Sequence, residues 1–285
     1  MLAAVVLLQS VTPLAVQRTG VFESPRITES SGVVVSRTHA GVLWTTNDSG
    51  DGPYLYATTL TGADRGAVRV AGAAAVDWED LALGPCPVPT ATCVYIADTG
   101  DNRRRRTEVA VYAVPEPTPP TGAGDTARVS APAAVLRVRY PDGAHDVEAL
   151  FVTTSGSVYL VTKGGEGGAV VFRVPRGAWG GPGIATAELV QHLPRAALGG
   201  GWVTGADVSP SGQRVAVRTY GGISVFSLNE AGELAVRGRP CDIHGHEPQG
   251  EALAFLDERH FVLTSEAGAA TSGPLHVVSC PLGDP

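Results

Sequence analysis

Short apolar runs rich in Val, Leu, Tyr and Phe recur along the whole chain, bounded by Gly, Pro, Asn, Asp and Ser. Runs of this length with these boundaries predict β-strands. No long stretch carries the i, i+3, i+4 apolar spacing of an amphipathic helix. The runs fall into five repeats, each opening on a first strand: Gly32–Ser36, Leu81–Leu83, Ala149–Thr153, Asp207–Ser209 and Ala252–Leu256. Two further strands follow in every repeat. A fourth follows in four of them, at Ala67–Val70, Ala134–Tyr140, Ala187–His192 and Glu233–Arg239. The fifth repeat runs out of chain after Cys280, and the segment Val21–Thr28 is expected to supply its missing strand. Recurrence at this interval is the mark of radial repetition. The expected fold is therefore all-β: a five-bladed β-propeller of four-stranded blades, its ring closed by the N-terminal strand. Closure leaves few open sheet edges.

Just before the first strand stands a polar residue in four of the five repeats. Aligned on the apolar run, the five positions are Ser31, Glu79, Glu148, Ala206 and Glu251. In a propeller, equivalent positions point at one axis. Carboxylates gathered there repel one another unless a cation offsets them, and no Lys or Arg occupies the aligned position. Hard oxygen ligands in number favour Ca²⁺. Ser31, Glu79, Glu148 and Glu251 are the expected metal ligands, with the Thr204 hydroxyl or Asp207 substituting for Ala206 in repeat four. The alternative is that each glutamate caps backbone amides of a neighbouring blade.

Loops after the second strands emerge on the same face. Lys163 and Arg218 read as equivalent there, placed to hold an anionic group. His145, His244 and His246 lie beside the proposed ring. His145, or Asp98 with a metal-activated water, is the candidate general base. The candidate catalytic set is Asp98, Lys163, Arg218 and His145. The loops Asn47-Asp48-Ser49-Gly50-Asp51 and Asp98-Thr99-Gly100-Asp101-Asn102 lack the full EF-hand pattern and read equally well as Asx turns. The run Arg103–Arg106 reads as a solvated loop or an anion contact.

Composition narrows the picture. A formal net charge of −7 gives no support for nucleic-acid binding. Residues 1–17 resemble the apolar part of a secretory signal, with a buried first strand as the alternative. This stretch is too short and interrupted to span a bilayer. The remainder, 18–285, is expected to be a single domain. Cys86 and Cys93 flank a short loop, and Cys241 and Cys280 lie near the ends of the fourth and fifth repeats. They suggest two pairs among three possible connectivities, in an oxidising, extracellular compartment. The proline-rich segment Pro115–Ala127 reads as a stiff exposed loop. No nucleophile elbow, Walker loop or dinucleotide fingerprint stands in a convincing context.

The arrangement of Ser31, Glu79, Glu148 and Glu251 in repeat order, with Asn47-Asp48-Ser49-Gly50 after Trp44, resembles the calcium-activated nucleotidases, or soluble apyrases. That resemblance implies a five-bladed propeller with a central Ca²⁺ and phosphate-facing basic residues, for which Lys163 and Arg218 are placed. The chain lacks the long insertions of those enzymes. The segments Asp77-Trp78-Glu79-Asp80-Leu81 and Tyr95-Ile96-Ala97-Asp98 are similar to secreted bacterial propellers grouped with phytase-like esterases. Together these features lead to an expected secreted, monomeric, Ca²⁺-dependent hydrolase of a phosphorylated or otherwise anionic small molecule. The alternative is a non-catalytic ligand-binding or scaffold propeller with a structural calcium.

Overall fold

The computed structural model describes residues 14–88, 91–122 and 128–281. The chain opens with β1 (Ala15–Val21). Blade one follows as β2 (Ser30–Val35), β3 (Leu43–Asn47), β4 (Tyr54–Thr58) and β5 (Ala67–Ala71). Blade two is β6 (Trp78–Pro85), β7 (Thr92–Asp98) and β8 (Val109–Pro115), then, after the excursion β9 (Arg128–Pro132), β10 (Ala134–Arg139). Blade three is β11 (Val147–Val152), β12 (Val158–Thr162) and β13 (Ala169–Val174), then, after the short β14 (Ala185–Thr186), β15 (Glu188–Leu193). Blade four is β16 (Val203–Val208), β17 (Arg214–Thr219), β18 (Gly222–Leu228) and β19 (Leu234–Asp242). Blade five is β20 (Gln249–Phe255), β21 (His260–Glu266) and β22 (Pro274–Ser279), completed by β1. The structure is a five-bladed propeller of antiparallel four-stranded sheets.

Five apolar clusters hold the ring together, one between each pair of neighbouring blades. Trp44 and Leu55 meet Trp78 and Ile96 between blades one and two. Tyr95 and Leu136 meet Leu150 and Phe172 between two and three. Phe151 meets Phe226 between three and four, Ile223 meets Phe261 between four and five, and Val262 meets Val33 between five and one. Phe151, Phe172, Phe226 and Phe261 are fully buried, and each such ring stabilises the fold by about 1.5–3 kcal/mol relative to exposure. The inner strands β11 and β16 are buried on both faces, so they lack the in–out alternation of a half-exposed strand.

Ring closure differs in detail from the expectation. The closing strand is β1, which pairs antiparallel with β22 from Ala15↔Ser279 to Val21↔Pro274. It ends on Val21, the first residue of the expected segment Val21–Thr28. The apolar residues of that segment, Phe22 and Ile27, pack into the junction of blades five and one from a loop instead. Most of the signal-like stretch, residues 1–13, lies outside the described residues. Its end does not: Ala15, Val16 and Gln17 belong to β1.

Two strands were not anticipated. β9 adds in parallel to β5 on the outer edge of blade one, and β14 adds in parallel to β10 on blade two. Each covers an edge that would otherwise be open. Disulfides join Cys86 to Cys93 and Cys241 to Cys280. Among the described residues no helix is long and apolar enough to cross a membrane.

Candidate metal centre

Every inner strand carries a β-bulge at the same place. In blade one the ladder passes from Ser30↔Asn47 to Gly32↔Thr46 and leaves Ser31 unpaired. The same step leaves out Glu79 in blade two, Glu148 in blade three, Thr204 in blade four and Glu251 in blade five. A bulge re-aims its extra residue, and such bulges favour functional sites. The repeat-four position is therefore Thr204, not Ala206. The apolar-run alignment was offset because β16 begins at Val203, and the Ala206 amide donates to Asp80 instead. The Thr204 hydroxyl is buried and has no hydrogen-bond partner.

The acidic groups gather around Glu79. Oxygens of Asp48, Asp77 and Glu79 lie within 4.8 Å of one another, and so do those of Glu79, Asp146 and Glu148. Blades one, two and three all contribute. Burial, reinforced by Glu148 and Asp48, pushes the Glu79 carboxyl well above its ordinary range. Burial beside Asp48 raises Asp77 to about 6. Burial raises Glu148 to about 8 even though Lys163 opposes the shift. Lys163 beside Glu148 and Arg106 near Asp77 offset these charges only in part.

Of the expected quartet, Glu79 and Glu148 meet. Ser31 donates its hydroxyl to the Glu79 carbonyl at 2.5 Å. Glu251 belongs to neither three-carboxylate group; it accepts from Tyr220 at 3.1 Å and from Gln249 at 3.0 Å. Asp48, Asp77 and Asp146 were not expected as ligands. The recurring Asp-x-Glu of Asp77-Trp78-Glu79 and Asp146-Val147-Glu148 was the signal that could have found two of them.

The residues at the ends of the second strands form another ring. Asn47, Asp98, Thr162, Thr219 and Ser265 occupy equivalent ladder positions. The next residues are Asp48, Thr99, Lys163, Tyr220 and Glu266. Lys163 is thus equivalent to Tyr220, not to Arg218. Its Nζ lies 2.8 Å from Glu148 and 3.9 Å from Asp146. Arg218 is buried, with its guanidinium turned toward blade five. It donates to the carbonyls of Ala252 at 2.5 Å and Thr264 at 3.0 Å and pairs with Glu247. Both terminal nitrogens are engaged there and the remaining Nε is buried, so Arg218 holds two blades together rather than facing an anion at the hub.

Asp98 is similarly committed. It accepts from the amides of Asp77 at 3.1 Å and Val76 at 3.4 Å and pairs with Arg106 at 3.0 Å. It clamps the loop that carries Asp77, as Asn47 clamps Thr28 and Glu29. Asn47 and Asp98 therefore act across the fold, on loops about twenty residues earlier, rather than as local Asx turns, while Asp48 reaches the acidic group. His145 binds Asp142 at 2.8 Å and packs against Tyr140 and Phe172. Its ring is engaged there rather than by a carboxylate of the hub. Arg103, Arg104 and Arg105 are exposed.

Below the acidic group, Asp80 ties three inner strands. It is fully buried and accepts from the amides of Leu81 at 2.8 Å, Leu150 at 2.9 Å and Ala206 at 3.0 Å.

No family model and no curated protein matches the chain. Solved structures do. The PQQ-bound aldose sugar dehydrogenase from Streptomyces coelicolor is 13% identical over 94% of this chain and 99% of that one, with a TM-score of 0.49. A glucose dehydrogenase is 10% identical over 93% and 99%, with a TM-score of 0.50. A putative gluconolactonase is 14% identical over 95% and 93%, with a TM-score of 0.43. At these identities the likeness is one of fold. The neighbours are sugar dehydrogenases and a gluconolactonase rather than apyrases; what stands of the apyrase resemblance is the five-bladed propeller.

Proposed function

We propose that the hub binds a hard divalent cation, Ca²⁺ by preference, and that the protein is a metal-dependent hydrolase of a small-molecule ester, phosphoester or related. The observation that carries this reading is the pair of acidic groups, Asp48–Asp77–Glu79 and Glu79–Asp146–Glu148, that share Glu79, together with a buried, unpartnered Thr204 hydroxyl at the equivalent bulge of blade four. Five carboxylates with only Lys163 and Arg106 as nearby cations make an oxygen-rich, under-neutralised donor set of the kind Ca²⁺ takes. When bound, such an ion supplies positive charge that polarises an ester oxygen. Lys163 holds Glu148 in place, and Ser31 fixes the Glu79 backbone. Tyr220 and Gln249 orient Glu251 at the rim of the acidic group. An anionic substrate is drawn in only once the cation has offset these charges, because Arg218 is committed elsewhere. The two disulfides fit an oxidising, extracellular compartment.

A structural ion is the second reading, supported by the contribution of ligands from three different blades, which a cation would lock together. Titration of chelated protein with Ca²⁺, followed by melting and by turnover of a phosphate-ester and lactone panel, separates the two. Calcium-dependent melting with calcium-dependent turnover supports the hydrolase. Calcium-dependent melting without turnover supports the structural ion. No calcium binding by wild type ends both.

A further inference from the structure

Next to the hub, on its blade-four side, two aromatic rings stand where the rest of the face is acidic. Trp202, just before β16, is 52% exposed, and Tyr220, just after β17, is 37% exposed. Their centroids are 6.4 Å apart at 60°. The Tyr220 hydroxyl donates to Glu251 at 3.1 Å, so this shelf adjoins the bulge ring directly. Beyond Tyr220 lies an open cavity of about 460 Å³, lined by Tyr220, His244, Glu247, Pro248 and Gln249 among others.

The polar groups around the shelf are mainly acceptors. Gln249 spans two of them, donating its amide to Glu251 at 3.0 Å and to Glu266 at 2.6 Å. The buried Oε1 of Glu247 has no hydrogen-bond partner, and the ring Nδ1 of His276 lies 3.6 Å away. A free phosphate or carboxylate would be repelled here. The charge of Glu247 is met by Arg218, and the accessible acceptor beside the shelf is the half-buried Glu266 carboxylate, which Gln249 also reaches. A ligand that fits presents C–H groups to an aromatic face and donates several hydroxyls to carboxylates.

We propose that the Trp202–Tyr220 shelf and the adjoining cleft bind the neutral, polyhydroxylated ring of a sugar-like substrate. The proposal deepens the hydrolase reading and rests on it for the word substrate: the sugar body lies on the shelf while its ester group reaches the hub. Binding to the shelf itself requires no metal.

Saturation-transfer NMR on chelated protein tests it, with methyl β-glucopyranoside, methyl β-galactopyranoside and tetramethylammonium as probes. Saturation is expected to pass to the ring C–H protons of at least one glycoside. Trp202→Ala should weaken that binding about tenfold, the loss of one aromatic contact of roughly 1.4 kcal/mol. Trp202→Phe should restore part of it. Leu189→Ala, at an exposed apolar position on β15, should change nothing. The proposal is overturned by no transfer to either glycoside, by equal binding in wild type and Trp202→Ala, or by tighter binding of tetramethylammonium than of both sugars. Because the measurement excludes metal, a hub that binds no cation leaves it intact, and a shelf that binds no sugar leaves calcium-dependent melting intact.

Discussion

The Asp80 carboxylate accepts a hydrogen bond from the backbone amide of Ala206, 126 residues later in the chain, at 3.0 Å. The same oxygen accepts from Leu150, so one side chain joins the inner strands of blades two, three and four. Asp80→Ala strands three buried N–H groups and should cost at least about 3 kcal/mol. Asp80→Asn keeps one acceptor oxygen and should cost less. Urea unfolding of both variants measures this, and equal, sub-kilocalorie losses would remove Asp80 as a strut.

Stability of the chelated protein should fall as pH rises from about 4 to about 8. Burial leads the upward shifts of Asp77 and Asp207 to about 6, Glu266 to about 7 and Glu148 to about 8. Unfolded carboxyls lose their protons near about 4. Across the window the native state therefore binds more protons than the unfolded state, and raising pH favours unfolding. Saturating Ca²⁺ should flatten the slope, because it holds the hub carboxylates ionised. Urea midpoints across the range, with and without calcium, check the sign; a chelated protein that gains stability with pH would contradict it.

Gly100 approaches the acidic group so closely that a Cβ there would lie 1.9 Å from Glu79 Oε1 and 2.5 Å from Asp77 Oδ2. Both atoms are side-chain ends that can move aside. Gly100→Ala should therefore spare the fold and displace the donors, weakening Ca²⁺ about ten- to hundredfold. Calorimetric titration reads the affinity, and metal-free melting serves as the control.

Arg218 and Glu247 form an ion pair with both side chains buried. Arg218→Met leaves the carboxylate uncompensated and should cost about 3–5 kcal/mol. Adding Glu247→Leu removes that charge and should recover much of the loss. A double variant as unstable as the single one would show that the carbonyl contacts to Ala252 and Thr264, not the charge pair, carry the stability.

The two disulfides should differ in weight. Cys241–Cys280 closes a separation of 39 residues and Cys86–Cys93 one of 7. Loop-closure entropy assigns about 4 kcal/mol to the first and about 2 kcal/mol to the second. Paired Cys→Ser variants in urea should reproduce that order.

The strand runs were readable in the chain because inner strands buried on both faces, such as Val147–Val152, leave continuous apolar stretches. Their fivefold recurrence was enough to determine the propeller, and Glu79 and Glu148 were legible as its central acids. The bulges were not, because one extra unpaired residue leaves the apolar pattern unchanged while re-aiming a side chain. Only the assembled ladders select Thr204 over Asp207, the other substitute the sequence offered for Ala206, match Lys163 to Tyr220 and turn Arg218 away from the hub. The closing strand was also decided by tertiary structure: Ala15–Val21 pairs with β22, while Phe22 and Ile27 are drawn into the junction of blades five and one. Hydrophobic periodicity thus determined how many blades there are, and hydrogen-bond register decided which side chains share the hub.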